Sequence, residues 1–100
     1  MSKLNVITYN RDYDKQMLLL SRNYPMAYAI LFLLINKMDN SNYVLLTGKE
    51  IQEDINISQS TVARGIKLLK EHSFIDIQKL GVNNVYHINP DIAVLGNWKQ

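Results

Sequence analysis

Hydrophobic positions along this chain change their spacing several times, and each change marks an element. Residues 3 to 9 alternate weakly, with Leu4, Val6 and Thr8 set against Asn5, Ile7 and Tyr9, which predicts a short extended arm or edge strand. Asp12 is placed to cap a helix carrying Met17, Leu18 and Leu20. "SRNYP" interrupts that helix, because the residue before Pro25 is pushed from helical angles while proline itself suits a first helical turn. A new helix therefore starts near Pro25 and runs to about Met38, apolar nearly all round and so expected at the centre. "DNSN" (39–42) is a polar turn cluster, and "YVLL" after it is a short strand-like run.

From Thr47 onward the pattern is one of caps. Thr47 followed three residues later by Glu50 is a capping-box signature, opening a helix from Gly48 to about Asp54 with Ile51 and Ile55 inward and Lys49, Glu50 and Glu53 in water. "INI" (55–57) makes a sharp link in which Asn56 suits a left-handed conformation, and Ser58 caps the next helix. There Val62, Ile66 and Leu69 form the buried stripe, and the helix ends near His72 and Ser73. A hairpin follows: "FIDIQKL" (74–80) alternates, "GVNN" (81–84) has turn chemistry, and "VYHI" (85–88) returns, ended by Pro90.

A short capped helix, a tight turn and a longer capped helix make a helix-turn-helix, whose second helix can lie in the major groove of DNA. With Val62, Ile66 and Leu69 inside, Gln59, Ser60, Ala63, Arg64 and Lys67 fall on the other side, with Thr61 at the margin. Amides, hydroxyls and a guanidinium match donor and acceptor patterns on base edges, and a lysine suits phosphate. Taken alone, Arg64, Lys67 and Lys70 would simply solvate a surface helix; the two caps, the short turn and the hairpin together favour DNA. The hairpin is then a wing whose tip offers Lys79 and Asn83 to a phosphate or minor groove, although asparagines there also serve as turn formers. The fold class is mainly α with a small β-hairpin (α+β), a winged helix-turn-helix. One domain is expected over 1–100, residues 1–24 forming an arm and helix and 25–97 the core.

Composition narrows the alternatives. With 47% hydrophobic and 20% charged residues the chain is an ordinary globular protein, and its net charge of +2 is too small to argue for nucleic acid unless the basic surface is local. Over 58–80, Arg64, Lys67, Lys70 and Lys79 against Glu71 and Asp76 give a local excess of two positive charges, 4 − 2. The absence of cysteine removes disulfides, thiolate metal sites and a cysteine nucleophile, and suits a reducing cytoplasm. "MAYAILFLLI" (26–35) is half of the roughly 20 apolar residues that a membrane span needs, so no membrane role is expected. His72 and His87 lie far apart without partners at ligand spacing, and no glycine-rich phosphate loop occurs. No cofactor, metal or catalytic residue is therefore expected, and an enzyme is a remote reading.

"LTGKEIQEDINISQSTVARGIKLLKEHSFI" resembles the winged helix-turn-helix of many bacterial regulators, with a helix ending before Ile-Asn-Ile-Ser and a Leu-Leu-Lys-Glu close over residues 47–75. The tail is narrower in its likeness. "NNVYHINPDIAVLGN" resembles the end of the winged-helix part of RepL-type plasmid replication proteins of Gram-positive bacteria, and with the preceding unit the resemblance covers about 26–97. It implies a replication initiator that binds double-stranded DNA at its origin and recruits host replication proteins, with Gln59, Ser60, Thr61, Arg64 and Lys67 on the recognition helix and Lys79 and Asn83 on the wing. A repressor of MarR-like type, with transcription proteins as partners, and a winged-helix protein-interaction module are the alternatives. The apolar helix at 26–35 with Tyr28 and Phe32, together with Met17 to Leu20, holds more hydrophobic material than a small core needs, the alternative being that all of it forms one core. Part of it is expected to form a homodimer interface, placing two recognition helices on half-sites about one helical turn apart.

Overall fold

The computed structural model describes residues 6–81 and 83–96. Its elements are β1 (Ile7–Tyr9), α1 (Asp14–Asn23), α2 (Pro25–Lys37), β2 (Tyr43–Leu46), α3 (Gly48–Ile55), α4 (Gln59–Glu71), β3 (Ile75–Leu80), β4 (Asn83–Ile88) and β5 (Ala93–Leu95). Of the expected arm over 3–9, Ile7–Tyr9 forms a strand and Val6 precedes it, while residues 3–5 lie outside the described residues. Asp12 is not a helix cap. Asn10 accepts the Asp12 amide at the head of a single 3-10 turn (Arg11–Tyr13), and α1 starts only after it.

Pro25 opens α2, and five of its thirteen residues, Ala27, Ile30, Leu31, Leu34 and Ile35, are buried. This helix is the centre of the core: α1, α3 and α4 all pack on it. α4 approaches α2 closely because Gly65 has no side chain, since a Cβ there would stand 2.6 Å from Ile30 Cδ1 and 3.5 Å from Ala27 Cα. Ile30 is fully buried and has little room to yield. Gly65→Val is therefore expected to destabilise the fold by about 1–3 kcal/mol through overpacking, measured by urea denaturation. A variant as stable as the wild type would show that the two helices can separate freely.

The expected two-stranded hairpin is a three-stranded antiparallel sheet in the order β2-β4-β3. "YVLL" is its third strand, with Val44 opposite Tyr86 and Leu46 opposite Asn84. The hairpin turn is tighter than "GVNN" indicated, because β4 already begins at Asn83. Beyond Pro90 the chain forms β5, which pairs with β1 to make a second small antiparallel sheet, Thr8 opposite Val94. The Thr8 hydroxyl also donates to the Gly96 carbonyl, tying β1 to the residue that follows β5.

Candidate nucleic-acid interface

Side-chain caps set the position of α4. The Thr47 hydroxyl accepts the Glu50 amide at 3.1 Å while the Glu50 carboxylate accepts the Thr47 amide at 3.3 Å, so α3 opens with the full capping box. Asn56 closes α3 in the left-handed region at φ 60°, which reverses the chain within two residues. Ser58 then accepts the Thr61 amide at 3.3 Å and starts α4. Val62, Gly65 and Leu69 face the core, whereas Gln59, Ser60, Ala63, Arg64, Lys67 and Lys70 are exposed. The polar side is the one the spacing predicts, but of the expected stripe Ile66 is only partly buried and lines a groove, and Gly65, pressed against α2, is buried in addition to Val62 and Leu69.

On one flank of α4 lies an open groove of about 870 Å³. Its floor is Val62, Ile66, Ile77 and Tyr86, and its rim carries Gln59, Lys67 and Lys70 from α4, Lys49 and Gln52 from α3, and Asn84 from β4. Arg64 stands elsewhere. With Thr61 it lines a cleft of about 370 Å³ on the opposite flank, against Tyr24, Pro25 and Met26. Gln59 and Lys67 are thus brought together in the groove, and Arg64 borders the same exposed helix surface from its other side.

Ser60 and Thr61 are tied into the helix start. The Ser58 hydroxyl lies 3.2 Å from that of Ser60 and 2.8 Å from that of Thr61, so both expected contact residues already hydrogen-bond within the first turn. Lys67 forms a 3.9 Å ion pair with Glu71, one turn on; both side chains are more than half exposed, at 78% and 59%, so the pair contributes little to stability. Among the described residues Lys49, Arg64, Lys70 and Lys79 are in no ion pair. The sole acidic residue of α4 is Glu71.

Register separates the two wing residues. Lys79 lies opposite Asn84 and Leu80 opposite Asn83. Because side chains alternate across a strand, Lys79 and Asn84 share the face of Tyr86, while Asn83 lies on the outer face with Leu80. Lys49, Gln52 and Asn84 are the groove residues that sequence reasoning missed. The spacing of Lys49 and Gln52, i and i+3, was a usable signal, whereas choosing Asn84 over Asn83 required the strand register.

The remaining chemistry is sparse. His72 caps the end of α4, and His87 lies on the outer sheet face against Tyr43, ring centroids 4.5 Å apart. Among the described residues no group of three or more His, Cys, Asp or Glu side chains is placed to hold a metal ion, and no helix is long and apolar enough to cross a membrane.

No curated protein matches the chain in sequence. Two solved structures share its fold. One is TubR bound to 24 bp of tubC from Bacillus thuringiensis serovar israelensis pBtoxis, 20% identical, with a TM-score of 0.59 over 82% of this chain and 85% of that one. The other is a structure of the type III plasmid segregation protein TubR, 19% identical, with a TM-score of 0.60 over 84% and 80% of the two chains. At such identity the likeness is one of fold, and the winged helix-turn-helix is what the two share with this chain. A family model describing Firmicute plasmid replication proteins matches residues 25–100, from the first residue of α2 onward. By that match over three quarters of its length, the chain belongs to the RepL family of Firmicute plasmid replication proteins.

Proposed function

We propose that this protein initiates plasmid replication by binding a specific double-stranded DNA sequence at its origin. The observation that carries the reading is the exposed side of α4, where Gln59 and Lys67 border the groove shared with Lys49 of α3 and Asn84 of the wing, and Arg64 faces solvent on the other flank. An amphipathic helix needs no such arrangement of amide, guanidinium and ammonium groups to fold, whereas a helix entering a major groove uses each of them. In this reading α4 enters the groove. Arg64 and Gln59 address base edges, and Lys67 a phosphate. Ser60 and Thr61 set the first turn and present what remains of their hydroxyl capacity, while Lys49 and Lys70 add phosphate contacts on the groove side. Lys79 with Asn84 reaches the backbone or minor groove from the wing, and Asn83 shapes the turn. Membership of the replication-protein family supports the origin as target, and the tubC complex of a protein with this fold supports a DNA duplex as ligand.

The test is anisotropy-based selection from a randomised duplex library at two salt concentrations, with the bound fraction sequenced. The wild type should enrich one motif, found in the plasmid's origin, with affinity that falls steeply as salt rises. Arg64→Ala should lose about 1–3 kcal/mol on that motif and flatten the preference at one position. Lys70→Ala should weaken all sequences nearly alike and lower the salt slope by about one. Equal losses from both variants would overturn the assignment of Arg64 to a base, a motif confined to promoters would turn the reading to transcription, and binding indifferent to salt would refute a DNA interface altogether.

A further inference from the structure

We infer that the apolar groove between β1, α1 and α2 is the contact surface for a second copy of this chain. The sequence pattern points to the Met26–Ile35 helix as the source of such a surface, but the fold consumes most of it, because Ile30, Leu31, Leu34 and Ile35 are all buried. Met26 stays outside beside Arg64, and a second edge remains open. Tyr28 and Phe32 of α2 line an open groove of about 570 Å³ with Met17 and Leu18 of α1 and Tyr9 of β1. Leu18 is 66% exposed, Phe32 53% and Tyr9 45%. Partial burial, and then the neighbouring Tyr28, push ionisation of the Tyr9 phenol above the usual tyrosine range.

Three features select a second copy as occupant. The surface holds both a cavity and the projecting Leu18 and Phe32 that could fill one, and a two-fold contact needs a patch complementary to itself. Arg11 and Asp14 both line the same groove, and among the described residues neither is in an ion pair. The two charges make the lining electrostatically neutral, and a two-fold axis passing between them sets each against its opposite on the copy, where a basic or acidic partner would leave one of the two charges facing its like. Finally, Tyr28 and Phe32 occupy a side of α2 turned from Ala27 and Ile30, which receive α4. Association here leaves α4 and the wing free, and it does not depend on what they bind.

Sedimentation velocity without DNA tests this across the micromolar range. The wild type should show a reversible monomer–dimer equilibrium. Leu18→Glu should raise the dissociation constant by roughly 30-fold or more, the change expected when a central apolar anchor is lost, with an unchanged circular dichroism spectrum. Arg11→Asp and Asp14→Arg should each weaken the dimer several-fold, and the double exchange should restore it, which decides the matter independently should Leu18→Glu disturb folding. A wild type that stays monomeric, or a dimer that withstands Leu18→Glu and gains nothing from the double exchange, overturns the inference. Because no DNA is present, failure here leaves the proposed function standing, and failure of that reading leaves the dimer.

Discussion

Replacing Tyr86 with alanine is expected to lower the free energy of unfolding by about 3–5 kcal/mol, the cost typical of deleting a buried aromatic ring. For a chain of this size that removes a large share of a total on the order of 5–15 kcal/mol. The residue is 1% exposed on the central strand of the three-stranded sheet, between Val44 on β2 and Ile77 on β3. Its ring thus joins both neighbouring strands to the core beneath the groove, and its hydroxyl accepts from the Asn84 amide at 3.3 Å. Tyr86→Phe separates the two contributions. It keeps the ring and removes one part-buried hydrogen bond, so it should cost only about 0.5–1.5 kcal/mol. Urea denaturation of both variants checks the expectation; an alanine variant no weaker than the phenylalanine one would mean that the wing is not anchored through this ring.

Asn42→Ala should cost about 2–4 kcal/mol, although the residue belongs to what reads as an ordinary turn. Asn42 is 2% exposed and sits at φ 66°. Its amide donates to the Ile88 carbonyl at 3.0 Å and to the Ala93 carbonyl at 2.7 Å, linking the wing sheet to the strand that pairs with β1. Alanine loses both bonds, leaves the carbonyls short of a buried donor and must adopt a left-handed conformation that costs it about 1–2 kcal/mol. Asn42→Gly relieves the backbone part alone. It should therefore recover about 1 kcal/mol relative to alanine and stay well below the wild type. If glycine restored full stability, the two hydrogen bonds would contribute nothing net.

Asn42 also shows where local reading stops. "DNSN" has turn composition, and a turn is what forms, but nothing local distinguishes the asparagine that ties two sheets from the ones that face water. Likewise the "YVLL" run is legible as a strand, while its pairing with β4 is not, because strand partners are chosen by contacts distant in sequence. β5 escaped for the same reason: three residues after a proline carry too short an alternation to register, and only β1, more than eighty residues earlier, makes them a strand. Asp12 failed through competition. Asn10 accepts the Asp12 amide with its own side chain, and the 3-10 turn it starts stands where Asp12 would have opened a helix.

What the sequence by itself determined is the part governed by short-range forces: α2 from Pro25, the capping box at Thr47, the left-handed Asn56, the Ser58 cap, and the split of α4 into a buried stripe and a polar face. Each depends on hydrogen bonds or periodicity within about one helical turn, so the residues that specify it are adjacent in the chain. The tertiary structure alone decided which polar residues share a surface. It set Lys49 and Gln52 beside Lys70, moved Arg64 to the other flank of α4, exchanged Asn84 for Asn83 on the face of Lys79, and buried Ala27, Ile30, Leu31, Leu34 and Ile35 of α2 while Tyr28 and Phe32 line an open groove. Those outcomes follow from strand register and helix packing, which are settled by burial of apolar surface between segments far apart in the chain, and no local pattern carries that information.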